Sequence, residues 1–247
     1  MQNLHSHVKF AQYNRTSYTL VFATDLIMTS IIEHQSIGTL FACVFKETLS
    51  ERRWRLMAQE LRRKSIHLLG LVVPIAYLLT EKPTALTLVG IFTGIALLIE
   101  LLKALFPPFL GLFVRIFSPM LRSHERKGGL TGATYYLIGS LLCILIFQKN
   151  LAIVCICFLI LGDLFAAVIG KQWGRTKLFD HKSLEGSLAC FVVCALIALM
   201  RFHPIIALTG AIVATLIELL PIGLDDNLTM PLISGIVMQM MLNHFEW

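Results

Sequence analysis

Five carboxylates stand where this chain can least easily hold them. Glu100, Asp163, Glu218 and the Asp225–Asp226 pair lie inside or at the edge of long apolar runs. A charge at membrane depth costs roughly 3 kcal/mol on insertion scales unless it is paired or hydrated, so each needs a reason. The richest surroundings are those of Asp163, in GDLFAAVIGKQWGRTKLFDHKSLEGSLACF (162–191). Asp163, Ala167 and Gly170 share a helix face, and Gly170 and Gly174 permit close backbone approach as that helix ends. Lys171, Arg175, Lys177 and Lys182 then crowd one loop. Ser183 is an N-cap residue type for the next helix, and Glu185 suits its first turn. A helix start preceded by lysines is a phosphate site in waiting. Asp163 and Glu185 are oxygen ligands of the kind Mg2+ takes together with phosphate oxygens and water. The chemistry implied is metal-assisted handling of an anionic, phosphate-bearing ligand. The plainer alternative is that each acid simply pairs with a nearby Arg or Lys.

These residues need elements to position them, and the composition says which. Only 15% of the 247 residues are charged and 56% are hydrophobic, against about 25% charged in a soluble domain. Mean hydropathy is +0.75. A water-soluble globule, a disordered chain and a fibrous repeat are excluded. The expected fold is all-α, a polytopic integral membrane helical bundle of about seven spans, each needing roughly 20 residues. Apolar runs place the spans at Ser65–Thr80, Thr84–Leu105, Leu130–Gln148, Asn150–Gly170, Leu184–Met200, Pro204–Leu220 and Leu228–Leu242. Residues 1–45 form an N-terminal extension without a signal-peptide pattern, read as one extra span or a peripheral hairpin. Residues 46–64 read as a basic helix on the membrane surface, and 65–247 as the membrane-embedded domain. Residues 105–130 contain a further amphipathic segment. The six Cys include no CxxC pair and lie in apolar runs, so a disulfide framework is not expected, and Cys190 and Cys194 read as helix packing.

Seven spans put alternate loops on opposite sides. Sixteen Lys and Arg residues then fall on one side, and only Lys82, Lys149 and Arg201 on the other. The basic side is cytoplasmic by the positive-inside rule, and all five carboxylates lie toward it. The net charge of +6 is accounted for by topology plus phosphate binding; an anionic membrane surface is an expected partner and nucleic acid is not.

The string GD-x2-A-x3-G-x3-G followed by KSLEGS resembles the signature of the CTP-dependent lipid kinases: the dolichol, polyprenol and phytol kinases and the fungal-type CTP-dependent diacylglycerol kinase. Glu60–His67 (ELRRKSIH), Glu125–Tyr136 (ERKGGLTGATYY) and Glu218–Pro231 (ELLPIGLDDNLTMP) match three further family segments in the expected order. The resemblance covers residues 60 to about 242. It implies a multi-pass membrane kinase that moves the terminal phosphate of CTP onto a lipid hydroxyl, in an inner or plasma membrane if the chain is bacterial. It also implies that Asp163, Lys171, Lys182, Ser183, Glu185, Asp226 and Asn227 belong to the site. Within it, Lys171, Lys177 and Lys182 are assigned to nucleotide phosphates, with Gly174, Ser183 and Gly186 shaping the phosphate loop. Asp163, Glu185 and Asp226 are assigned to Mg2+, with Asp163 accepting the alcohol proton. Catalysis is expected to centre on Asp163, Lys182 and Glu185. Asn227 serves a phosphate, the base, or only as a helix cap. Arg63, Lys64 and His67 serve the nucleotide or the lipid headgroup, or in the case of the two cations merely anchor the chain.

A CDP-lipid synthase shares a similar GD…G…G…K…EG string, but its KD, GHGG and DR-x-D signature is absent here. A transporter would show repeats and broken helices with polar groups at the bilayer midplane; this chain has neither. The acceptor lipid (polyprenol, dolichol, phytol or diacylglycerol) and the oligomeric state are not readable from these residues.

Overall fold

The computed structural model describes residues 64, 67–118, 120–179, 182–220 and 223–244. All of these belong to one compact unit, Met57–Trp247. The extension 1–45 and all of the expected basic helix 46–64 except Lys64, Arg63 included, lie outside the described residues.

Helices dominate. They are α1 (Val72–Leu79), α2 (Lys82–Leu105), α3 (Pro107–Phe117), α4 (Gly132–Ile146), α5 (Lys149–Cys157), α6 (Asp163–Trp173), α7 (Leu184–Leu199), α8 (Pro204–Leu219) and α9 (Asp226–His244). Each apolar run expected to span is helical, with ends within a few residues of those read from hydropathy except at α1. Pro83, Pro107 and Pro204 occupy first-turn positions, where a missing N–H costs nothing. Among the described residues two helices, Lys82–Leu105 and Lys149–Trp173, are long and apolar enough to cross a membrane. Leu98, Leu101, Leu188, Leu196 and Ile212 face outward, an apolar exterior compatible with a membrane protein.

Two local features depart from a simple bundle. First, α5 runs into α6 through a single π-helical stretch, Phe158–Gly162, so that Lys149–Trp173 is one rod with a bulge in its middle. Such bulges shift the helix face by one residue and collect at functional sites. Second, the lysine-rich loop folds into a two-stranded antiparallel ribbon, β1 (Lys177–Phe179) and β2 (Lys182–Ser183). The all-α expectation holds apart from this ribbon.

The rod α5–α6 lies at the centre. α1, α4 and α9 pack on α5; α7 packs on the π turn and α6; α8 joins α7 to α9; and α2 flanks α4 from outside. Cys190 and Cys194 are buried against Gly162, where an added Cβ would stand 3.2 and 2.8 Å from their sulfurs. They are free thiols used for packing.

Contacts between helix ends show how the helices alternate. At one end Lys149 Nζ donates to Thr80 O (2.8 Å), and Lys82 Nζ donates to Leu145 O (3.0 Å). Two of the three basic residues on the sparse side therefore cap helix C-termini, where a cation meets orphan carbonyls. At the other end Glu100, near the end of α2, accepts from Thr131 N at the start of α4 (2.9 Å). There too Lys182, entering α7, meets Glu218 at the end of α8 and Asp226 at the start of α9. The carboxylates singled out in the sequence thus gather toward one end.

Candidate active site

Gly162 ends the π turn and Asp163 begins α6. Its carboxylate is paired directly with the Lys64 ammonium, which also donates to Asp163 O (3.3 Å). Lys64 is only 5% exposed, so its charge depends on that partner. His67 Nε2 lies 3.7 Å from Asp163 Oδ2 and 3.4 Å from Leu159 O, a carbonyl within the π turn. One rod therefore presents the Asp163 carboxylate to both side chains and a π-turn carbonyl to His67. Asp163 sits ten residues before the end of α6, about 15 Å of helix rise.

The α6–α7 crossing explains the glycines of the signature. A Cβ at Gly186 would stand 2.6 Å from Ala166 O and 3.1 Å from the Gly170 Cα, and one at Gly174 would stand 2.5 Å from Ser183 Oγ. No other residue fits such a crossing without moving a backbone. Ser183 is the N-cap of α7, its Oγ accepting from Gly186 N (3.2 Å). Glu185 Oε1 accepts from Arg175 N (3.0 Å) and Thr176 N (3.1 Å), and Leu184 N donates to Thr176 O (2.9 Å). Glu185 thus closes the loop that carries the ribbon. Lys171, Arg175 and Lys177 are exposed on or beside that loop.

Lys182 points the other way. Its Nζ lies 3.3 Å from Glu218 Oε1 and 3.7 Å from Asp226 Oδ2. Glu218 is buried and feels the charges of both Asp163 and Asp226. Asp226 precedes the apolar run of α9; burial pushes its carboxyl above the usual range, Lys182 pulls it back, and Asp163 and Asp225 push it further up. Asp163, Glu218 and Asp226 thus form an acidic centre neutralised by Lys64 and Lys182. Among the described residues no three His, Cys, Asp or Glu side chains come together closely enough to hold a metal unaided. Mg2+ does not require that: one or two carboxylates with phosphate oxygens and water suffice, and hard oxygen donors are what this centre supplies.

Asn227 is buried in the first turn of α9. It is not the cap. Asp225 holds that position, its Oδ1 accepting from Asn227 N (3.0 Å) and Nδ2 (2.6 Å).

The structure joins Asp163 to Lys64 and His67, joins Lys182 to Glu218 and Asp226, places Ser183 and Gly186 beneath the loop, and places Glu185 at the loop's closure. Glu218, a carboxylate with no role assigned from spacing, joins the centre. Its signal was burial cost within an apolar run, which says that a partner exists but not which one.

These features define an α-helical protein with an apolar exterior and a charged centre toward one end of its helices. The chain is 31% identical over 219 residues to probable phytol kinase 2 of Oryza sativa subsp. japonica, covering 78% of this chain and 69% of that protein. It is 28% identical over 224 residues to a probable phytol kinase of Zea mays, covering 78% and 70%. With CTP-dependent diacylglycerol kinase 1 of Schizosaccharomyces pombe it shares 26% over 171 residues, covering 61% and 76%. No family model and no solved structure matches the chain. The chain belongs to the CTP-dependent lipid kinase family, a family of enzymes.

Proposed function

We propose that this protein is a multi-pass membrane kinase that transfers the terminal phosphate of CTP to the hydroxyl of a lipid alcohol at the cytoplasmic face, with Mg2+. The supporting observation is the convergence of Glu218 and Asp226 on Lys182, with the charge of Asp163 felt by both carboxylates, in a chain similar to kinases named for CTP, diacylglycerol and phytol.

Phosphoryl transfer asks a protein for position and charge rather than covalent chemistry. Lys182 leaves its carboxylate partners to meet phosphate oxygens, and the exposed Lys171 and Lys177 extend the basic surface toward the nucleotide. Ser183 and Gly186 keep the start of α7 close to α6, so Lys182 is held beside the reacting phosphate. Asp163 orients the lipid hydroxyl and takes its proton, and Lys64 holds that carboxylate in place. Asn227 donates to a phosphate or to the base. Asp163 and Asp226 would hold Mg2+, which neutralises the charge on the transferring group. Glu185 keeps the ribbon loop closed.

The test is purified protein in detergent with Mg2+, CTP labelled at the γ-phosphate, and polyprenol, dolichol, phytol and diacylglycerol as separate acceptors. Labelled lipid with release of CDP in at least one arm supports the reading; no labelled lipid in any arm overturns it.

A further inference from the structure

Glu125 is 4% exposed, in a short 3-10 turn (Glu125–Lys127) between α3 and α4. A buried carboxylate needs strong donors, and Glu125 finds them in its own loop. Oε1 accepts from Gly132 N (2.7 Å) and Oε2 from Arg122 N (2.7 Å). One side chain thus ties both ends of the 122–132 segment.

Each tied end faces α9. Arg122 Nη1 donates to Asp225 Oδ2 (2.6 Å). Asp225, almost wholly buried, spends its other oxygen on Asn227 N and Nδ2. Gly132 lies against the same amide, where an added Cβ would stand 3.0 Å from Asn227 Nδ2. The loop itself is anchored below, because Lys103 Nζ donates to Gly129 O (3.1 Å) and Glu100 holds Thr131. Between Asp225 and Asn227 stands Asp226, which faces Lys182.

We propose that Glu125 and Arg122 are positioning residues: they hold the first turn of α9 so that Asp226 and Asn227 face the site. Neither touches the reacting atoms. The kinetic consequence rests on the kinase reading; the mechanical one does not. Glu125→Gln preserves size but turns one acceptor into an NH2 facing a backbone N–H, which removes a tie and adds a clash of donors. Arg122→Gln removes the hold on Asp225.

Hydrogen exchange of the full-length protein in detergent reads the mechanical part. Leu228 N and Thr229 N are bonded to Asp225 O in the wild type. In both variants the peptide spanning 223–230 exchanges faster by roughly tenfold, the scale of one lost hydrogen bond, while α7 exchanges as in the wild type. Unchanged exchange at 223–230 overturns the proposal, as does acceleration spread equally over α7 and α9, which is general loosening. Steady-state kinetics read the second part: the KM for CTP and the half-saturating Mg2+ concentration rise severalfold, and kcat falls less. A fall in apparent kcat alone, with KM unchanged, is the mark of lost folded protein and also overturns it. A wild-type protein that phosphorylates no lipid, together with the stated exchange pattern in the two variants, sinks the kinase reading and leaves the positioning intact.

Discussion

The ammonium of Lys182 stands 3.3 Å from Oε1 of Glu218, joining the strand that leads into α7 to the last turn of α8. This contact links the lysine-rich loop to the acidic centre, and Asp226 completes it at 3.7 Å. Lys182→Ala removes a preorganised charge from the transition state, and turnover falls by about 100- to 1000-fold or more. Glu218→Gln leaves Lys182 less firmly held and lowers turnover too. Initial rates at saturating CTP and lipid measure both, and a rate within twofold of wild type in either variant contradicts the assignment.

Asp163→Asn abolishes transfer and also weakens the fold, because buried Lys64 loses its counter-charge. The double variant Asp163→Asn with Lys64→Met removes the orphaned charge, so thermal stability in detergent recovers while transfer does not. Recovery of both would place Asp163 outside the chemistry.

Gly186→Ala forces a methyl group to 2.6 Å from Ala166 O. Overpacking of this kind costs about 1–3 kcal/mol, and here it also displaces Ser183 and Lys182. Gly94→Ala, where nothing lies within 4 Å, is neutral or slightly stabilising. Thermal unfolding of the two variants side by side measures the contrast; equal midpoints would refute the close crossing.

Single cysteines introduced at Lys127 and Lys177, both exposed, react with an impermeant thiol reagent applied from the cytoplasmic side of sealed vesicles. One at Arg201 reacts only from the opposite side. Labelling of all three from one side would contradict the proposed alternation of spans.

The helices were readable because apolar run length and proline placement report on burial and helix starts directly: Pro83 and Pro204 stand where α2 and α8 begin. The α6–α7 glycines and the Ser183 cap were readable for a similar reason, since each expresses a local backbone demand. The π turn at Phe158–Gly162 was not, because an inserted residue leaves the apolar run unbroken and its effect appears only in which carbonyl meets His67. Nor was the ribbon, whose strands are too short to show an alternation. Partners across helices were the least visible. Its place in an apolar run says that Glu218 needs company, but the choice of Lys182 arises from how helix ends meet; Glu125 lies in a polar segment, and its hold on two backbone amides appears only in the folded loop. Glu100 shows the plainer outcome, pairing with Lys103 one turn on (2.5 Å) and serving α4 rather than a ligand.

The central claim is that the γ-phosphate of CTP, and not its cytidylyl group, reaches the lipid. Parallel reactions with CTP labelled at the α- or the γ-phosphate, each extracted into organic solvent, test it most directly. A kinase leaves label in the lipid phase from γ-labelled CTP alone, with CDP in the aqueous phase. Label from the α position, with pyrophosphate released, would contradict it.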